Sequence, residues 1–311
     1  MKVYYNLDDF TPLKQAAVAV GTFDGVHIGH QKILSQLTKT AQSIGGESVL
    51  LTFNPHPRMV LQPDAELKLI NSQAEKIELL SNTGLDHLII HPFTKEFSRT
   101  TGLDFVRNVL VNQIGSKKLV IGYDHHFGRN REGSFEHLKE YGPVYGFTVE
   151  EISAQDIDDV TVSSTKIRRA LEEGNVKNAA TYLSYNFSLA GKVVRGEGLG
   201  KGLGYPTANV LVEDVNKIIP ADGVYAVKCV FPASPEKTFG GMCNIGRRPT
   251  FNGRYKTIEA HLFDFDRDIY GEQITLEFVD RIRNEQKFDG KEALKNQLSS
   301  DENTARNILP L

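Results

Sequence analysis

The stretch Val18-Ala-Val-Gly-Thr-Phe-Asp-Gly-Val-His-Ile-Gly-His30 constrains the fold more than any other part of the chain. Val18 to Val20 reads as a buried strand, followed by a glycine-containing turn and a helix beginning near His27. Apolar residues at Ile33, Leu34, Leu37, Ala41 and Ile44 recur at the helical period of one packed face. Gly45-Gly46 ends the helix, because glycine enters the left-handed backbone region at least cost. A strand, a glycine turn and a helix N-terminus together form an anion site, with backbone N–H groups and the positive dipole end directed at the ligand. His27 and His30 lie on one side of the first turn, and each can donate a hydrogen bond to a phosphate oxygen. A lone histidine here would read as a cap or a core residue. The clustering of Gly21, Asp24, Gly25, His27, Gly29 and His30 behind one strand favours the anion site instead, with Gly29 leaving room for a nucleotide.

The rest of the first half alternates strands with helices. Strands are expected at Val49–Phe53, Leu88–Ile90, Leu119–Ile121 and Val144–Val149, with amphipathic segments around Ile77–Leu80, Phe105–Leu110 and Phe135–Lys139. This alternation predicts a doubly wound parallel sheet with its ligands at the carboxyl ends of the strands. Two polar loops fall there: Phe53-Asn54-Pro55-His56-Pro57-Arg58, stiffened by its prolines, and Gly122 to Ser134. The adjacent pair His125-His126 in the second loop is not read as a metal site, because neighbouring side chains diverge and no ligand spacing accompanies them. At Val162-Ser-Ser-Thr-Lys-Ile-Arg-Arg-Ala-Leu171, Ser163 or Ser164 is a natural N-cap, and Ile167, Ala170 and Leu171 form the buried stripe. Lys166 and Arg168 add charge at that helix start, making a second phosphate clamp.

Asn178 to Asn186 reads as a linker, after which short strand-like runs dominate. Between Gly191 and Val210, glycine occupies positions 196, 198, 200, 202 and 204. Neither G-x-G-x-x-G nor the Walker A template fits this run. A flexible loop would explain it, but a glycine ribbon carrying Lys201 also lets backbone N–H groups approach phosphates. Thr207 and Asn209 then alternate along an extended segment and share a face. Small neutral oxygen ligands beside phosphates suit Mg²⁺. Strands are expected at Val224–Val230, Phe239–Ile245, Thr257–Leu262 and Ile274–Val279, with Glu259 and His261 on one face. Asp289-x-x-Glu292 reads as a capping box for a final helix bearing Leu294 and Leu298.

A chain of 311 residues is comfortable for two domains, each with its own core. Eight of nine histidines lie at or before His137, which points to two chemistries in tandem. With 36 basic and 39 acidic residues, no global basic field favours nucleic acid. Cys229 and Cys243 form no disulfide framework. The N-terminal residues contain no signal-peptide core, and no run has membrane-spanning length. The expectation is a soluble, cytoplasmic protein with no nucleic-acid or membrane partner; a weak homo-oligomer stays open.

The turn motif resembles the H-x-G-H signature of the nucleotidyltransferase superfamily. The longer string Gly21-Thr-Phe-Asp-Gly-Val-His-Ile-Gly-His30 is similar to the adenylyltransferase half of the bacterial bifunctional riboflavin kinase/FAD synthetase family. The resemblance places nucleotide contacts at Gly21, Thr22, Phe23 and Asp24, and catalytic roles at His27 and His30. The loop with Asn54 and His56 looks like the second signature of the family. Asp124, Phe127 and Gly128 match the nucleotide and flavin pocket, although many members carry an aromatic where His125 stands. Ser164, Thr165 and Arg168 match Ser-Ser-Thr-x-Ile-Arg, implying contact with the departing pyrophosphate. Gly200 to Asn209 resembles the Pro-Thr-Ala-Asn signature of riboflavin kinase, with contacts at Gly198, Gly200, Lys201 and Gly204 and metal ligands Thr207 and Asn209. Members often have Arg at Lys201. Asn244–Phe251 and Ile258–Asp264 also match the kinase, whose catalytic glutamate falls at Glu259.

The resemblance implies an α/β plus β architecture. A Rossmann-like nucleotidyltransferase domain over 1–182 precedes a riboflavin kinase domain over 183–311, a six-stranded antiparallel barrel with a C-terminal helix. It implies two ATP- and Mg²⁺-dependent steps, from riboflavin to FMN and from FMN to FAD with release of pyrophosphate. Two other readings stay on the page. A class I aminoacyl-tRNA synthetase shares the H-x-G-H turn but would need a Lys-Met-Ser-Lys-Ser loop and a basic region that this chain lacks. A flavin-binding or regulatory protein with one or both sites inactive is the alternative.

Overall fold

The computed structural model describes residues 1–122, 126–129, 132–152, 162–196, 199–247 and 256–309. The chain divides into two compact units, Met1–Ser164 and Thr165–Leu311.

The first unit runs β1 (Lys2–Tyr4), β2 (Ala16–Val20), α1 (Ile28–Ser43), β3 (Glu47–Asn54), α2 (Pro57–Leu61), α3 (Gln73–Ser81) and β4 (His87–Pro92). It continues through α4 (Gly102–Asp104), which widens into a π-helical segment Phe105–Ile114, then β5 (Ser116–Gly122), α5 (Phe135–Tyr145) and β6 (Thr148–Ile152). The six strands form one sheet in the order β1-β4-β3-β2-β5-β6, and every pair is parallel. Parallel strands are covered on both faces, so their side chains divide between two cores. Ala17, Ala19, Leu50 and Leu88 pack with Leu34 and Leu37 of α1 and Leu80 of α3. Ala16, Val18, Val49 and Ile89 pack with Phe105, Val106 and Leu110 and with Leu138 of α5. From β2 the chain proceeds to β3 on one side and returns to β5 on the other. The crevice beyond the end of β2 is therefore the topological switch point, where open α/β sheets bind ligands.

The apolar run Val144–Val149, expected as one strand, is split. Val144 and Tyr145 close α5, Gly146 turns the backbone at φ 75°, and β6 starts at Thr148. A left-handed glycine inside an apolar run makes a helix end and a strand start look continuous. The three-residue edge strand β1 has too little pattern to be read from sequence.

The second unit contains α6 (Ser164–Glu172, of which Ser164 falls in the first unit), α7 (Val176–Leu183), β7 (Ser188–Val194), a 3₁₀ turn Leu199–Leu203, β8 (Ala208–Leu211), β9 (Gly223–Phe231), β10 (Ser234–Arg247), β11 (Lys256–Leu262), β12 (Gln273–Arg283) and α8 (Lys291–Ile308). Strands β10-β11-β8-β7-β12-β9 close into an antiparallel barrel. Tyr225, Cys243, Ile245, Ala260 and Phe278 are buried. Burial pushes the Cys229 thiol up to about 12 and the Cys243 thiol higher still, so both behave as small hydrophobes. On the other side of the wall, Val224, Ala226, Met242 and Phe263 pack against Ala305 and Leu309 at the end of α8.

Two expectations change here. Residues 178–186 are not a linker: α7 occupies most of them, with Ala179 and Leu183 fully buried. Asn178 and the other polar residues on the exposed side of α7 disguise its apolar stripe. The N-cap of α8 is Gly290 at φ 115° without a side-chain cap, not Asp289. What holds α8 instead is Asp301, 1% exposed, which accepts from Arg283 Nε at 2.9 Å and Nη2 at 2.8 Å and from Gln297 at 2.8 Å. Removing one partner of a buried ion pair strands the other's charge. Asp301→Ala is therefore expected to cost about 3–5 kcal/mol, seen in denaturant titration as earlier unfolding of the barrel unit, while Arg306→Ala on the exposed side of α8 costs under about 1 kcal/mol.

Candidate functional sites

Between β2 and α1 the backbone takes an unusual path. Phe23 sits at φ 48°, Gly25 at 93° and Val26 at 36°. A β-branched residue at positive φ is a genuine outlier, and each such position costs on the order of 1–3 kcal/mol unless its surroundings impose it. The surroundings here are specific. The buried Asp24 carboxylate accepts from the Ile70 N–H at 3.0 Å and the Asn71 N–H at 3.3 Å. The Thr22 carbonyl accepts from Thr52 Oγ1 at 3.1 Å and Lys76 Nζ at 3.3 Å. Ser164 Oγ donates to the Asp24 carbonyl at 2.8 Å, so Ser164 is the first helical residue of α6 and ties down the turn.

His27 is the N-cap of α1, its Nδ1 accepting from the His30 N–H at 3.4 Å. The two rings stack with centroids 3.6 Å apart, and Phe23 lies against the far side of His30 at 4.6 Å. His30 Nδ1 is buried with no hydrogen-bond partner. Burial first, then the His27 and Lys76 charges, hold the His30 pKa well below the usual histidine range. His30 is thus a neutral imidazole at the positive end of a helix.

The other first-unit residues fall into two groups. Asn54 ends β3 and His56 caps α2, accepting from the Arg58 N–H at 3.1 Å, so both lie at the carboxyl edge of the sheet beside the turn. Phe127 instead belongs to the core, its ring 5.9 Å from Phe105. Gly128, at φ 72°, is required because a Cβ would come within 2.7 Å of the Gly102 backbone. Asp124 lies outside the described residues. Thr165 and Arg168 belong to the second unit, the former exposed and the latter buried. Thr52 and Lys76 went unnoticed in the sequence; a lysine four residues after a serine cap carries no local signal.

The second site lies on the barrel wall. Register pairs Glu259 of β11 with Asn209 of β8 on one side and Asn244 of β10 on the other. Their chain neighbours Val210, Ile258, Ala260, Cys243 and Ile245 are all buried. By strand alternation the three polar side chains project together from the opposite face. Thr207 precedes β8 on that same face. The glycine run passes close to Asn209 and Thr207: a Cβ at Gly196 would lie 2.1 Å from Asn209 Nδ2, and one at Gly200 would lie 2.2 Å from the Tyr205 carbonyl and 3.5 Å from Thr207. These two glycines are glycines because backbone passes where a side chain would stand. Gly204, at φ 86°, supplies the reversal, while Lys201 is exposed at the tip. His261 Nδ1 donates to the Pro206 carbonyl at 2.8 Å, and its ring meets Tyr205 edge-on at 5.1 Å, anchoring the far end of the run. Gly198 and the positions after Arg247 in the Asn244–Phe251 motif lie outside the described residues. Asn244, not singled out in the sequence, joins the site through register alone.

Comparison with known proteins matches each half of the chain to a different family profile. The FAD synthetase family profile matches residues 10–166 and the riboflavin kinase profile residues 183–309. A bifunctional riboflavin kinase/FMN adenylyltransferase of Haemophilus influenzae is 36% identical, covering 94% of this chain and 94% of its own. That of Escherichia coli K12 is 34% identical, over 96% and 95%. A crystal structure described as a macrolide-efflux protein of Streptococcus pneumoniae superposes at a TM-score of 0.88 with 33% identity, covering 98% of each chain. Among the described residues of the present chain, no helix is long and apolar enough to cross a membrane. With both profiles in tandem and relatives similar over nearly the full length, the chain belongs to the bifunctional riboflavin kinase/FMN adenylyltransferase family.

Proposed function

We propose that the protein converts riboflavin to FMN and FMN to FAD, one step on each site. The kinase step is assigned to residues 183–311 and adenylyl transfer to residues 1–182. What carries the reading is the row Asn209–Glu259–Asn244 beneath the glycine run in one unit and the stacked His27–His30 turn in the other.

In the first reaction the riboflavin 5′-hydroxyl attacks the γ-phosphorus of ATP and ADP leaves. Glu259 accepts the hydroxyl proton, and the glycine-run N–H groups and Lys201 hold the phosphates. Thr207 and Asn209 offer hard neutral oxygens two residues apart, beside a carboxylate, a set that fits Mg²⁺. When bound there, the ion neutralises phosphate charge. In the second reaction a phosphate oxygen of FMN attacks the α-phosphorus of ATP, forming the new P–O bond as the bond to pyrophosphate breaks. His27, His30 and the α1 N-terminus stabilise the charge that develops. The substrates are small molecules, and near-balanced charge argues against a nucleic-acid partner. Buried, unbridged cysteines suit the cytoplasm.

The test is purified protein with riboflavin, ATP and Mg²⁺, followed by chromatography of the flavins. Glu259→Ala is expected to abolish FMN formation while supplied FMN still becomes FAD. Equal loss of both steps in a folded variant contradicts the assignment. Thr207→Ala or Asn209→Ala should raise the Mg²⁺ and ATP requirement of the kinase step alone. His30→Ala should leave FMN formation intact and lower FAD formation by roughly two to three powers of ten, the effect of losing about 3–4 kcal/mol at a developing charge. A structural cap would cost about 1 kcal/mol of stability and no rate.

The lowered pKa of His30 also fixes a pH dependence. Its folded value lies below the unfolded value of about 6.5, so the unfolded chain binds more protons between the two. Stability from this group is complete above about pH 6.5 and is lost as pH falls toward the folded value. Imidazole ¹⁵N spectra at about pH 6.5, where a free histidine is half protonated, should find His30 neutral.

A further inference from the structure

Lys76 is not part of either recognised motif, yet the first site is braced on it. It projects from α3, whose start is fixed by a reciprocal capping box: the Ser72 N–H donates to Glu75 at 2.8 Å and the Glu75 N–H to Ser72 Oγ at 3.2 Å. The two residues just before that cap, Ile70 and Asn71, hold the Asp24 carboxylate. One turn into the helix, Lys76 Nζ reaches the Thr22 carbonyl at 3.3 Å and Thr52 Oγ1 at 3.5 Å. α3 therefore grips the strained turn at two points.

We propose that Lys76 is a positioning residue for adenylyl transfer, fixing the Thr22–Phe23 peptide against which His30 packs. A peptide unit is planar, and in its trans form the C=O and N–H point opposite ways. Two donors on the Thr22 carbonyl, Thr52 and Lys76, hold it against α3 and β3. The Phe23 N–H of the same peptide is thereby aimed away from the brace. Phe23 is the residue at φ 48° whose ring packs on His30. Releasing the carbonyl lets the peptide rotate and the ring contact loosen.

The second half of the role is electrostatic. The groups facing His30 are His27, stacked on it from the α1 N-cap, and Lys76 from α3, and both oppose its protonation. Burial pulls the Lys76 pKa below its ordinary value, and Asp24, on the turn itself, opposes that shift and favours the ammonium. A fixed cation beside a histidine preserves its neutral form, the form that carries a lone N–H donor toward phosphate.

The inference rests on the adenylyl-transfer reading of this unit, and one set of assays separates the two. In the full chain, Lys76→Met should leave riboflavin phosphorylation at its wild-type rate. The kcat for FMN to FAD should fall about a hundredfold, the scale of an ångström-size misplacement. The acid limb of its pH profile should move to higher pH, because His30 loses an opposing charge. Thr52→Val removes the other donor and no charge, so it should lower kcat about tenfold with the pH limb unmoved. A Lys76→Met enzyme with wild-type kcat and pH profile overturns the proposal, whatever its melting temperature. If the first unit of Lys76→Met does not fold, as loss of its unfolding transition in a thermal melt would reveal, Thr52→Val decides alone, and an unchanged kcat overturns the proposal. Wild-type protein that makes no FAD from FMN and ATP fails the parent reading instead.

Discussion

The first unit depends on a turn that the chain would not adopt alone. Three departures into positive φ, at Phe23, Gly25 and Val26, bring the α1 N-terminus, His27 and His30 to the switch point of the sheet. The strain is of the same order as the stability of a small domain's weakest segment, so it has to be imposed by contacts made elsewhere. Those contacts are the two amides on Asp24, the two donors on the Thr22 carbonyl and the Ser164 hydroxyl on the Asp24 carbonyl. All are hydrogen bonds to groups that burial would otherwise leave unsatisfied, which makes them costly to break. A site held this way is preorganised: its N–H donors are in place before any phosphate arrives, as electrostatic catalysis requires.

The barrel reaches a comparable end by other means. Antiparallel register, not a strained turn, assembles Asn209, Glu259 and Asn244 in one row. A slip of one residue in β11 would turn Glu259 into the core and expose Ile258 and Ala260, so the apolar alternation that buries the core also aims the carboxylate. Closure of the sheet leaves no edge from which slippage could start. The glycine run is tied to the barrel at its far end, where His261 meets the Pro206 carbonyl.

What could be read from the chain alone follows the range of each interaction. The strand–turn–helix motif was legible because its signals are local: apolar period, glycine, helix start. The alternation of strands and helices, and Thr207 and Asn209 sharing a face, were legible for the same reason. Asp24 and Phe127 could be picked out but not explained. Asp24 acts through the amides of residues 46 and 47 positions away, and Phe127 packs on Phe105. Lys76 and Asn244 enter their sites only through tertiary docking and strand register. α7 was mistaken for a linker because its polar face dominates the composition, and the start of α8 was misplaced because a left-handed glycine, not a capping box, begins it.

The electrostatics of the two histidines explain why the adenylyl site is not simply more basic. Binding a nucleotide triphosphate strongly in the ground state would lower KM without raising kcat, and would hold pyrophosphate after transfer. A neutral His30 contributes a directed donor and no net charge. The helix dipole adds a partial charge confined to the first turn. The nearby full cation, Lys76, is turned onto the Thr22 carbonyl instead of outward. On the proposed adenylyl-transfer reading, the anion affinity of this turn comes from oriented dipoles whose benefit grows as charge develops on the transferring phosphate. That preference is the one a phosphoryl-group transfer without a covalent enzyme intermediate has to rely on. It also accounts for a chain that handles several phosphorylated ligands while carrying a net charge of only −3.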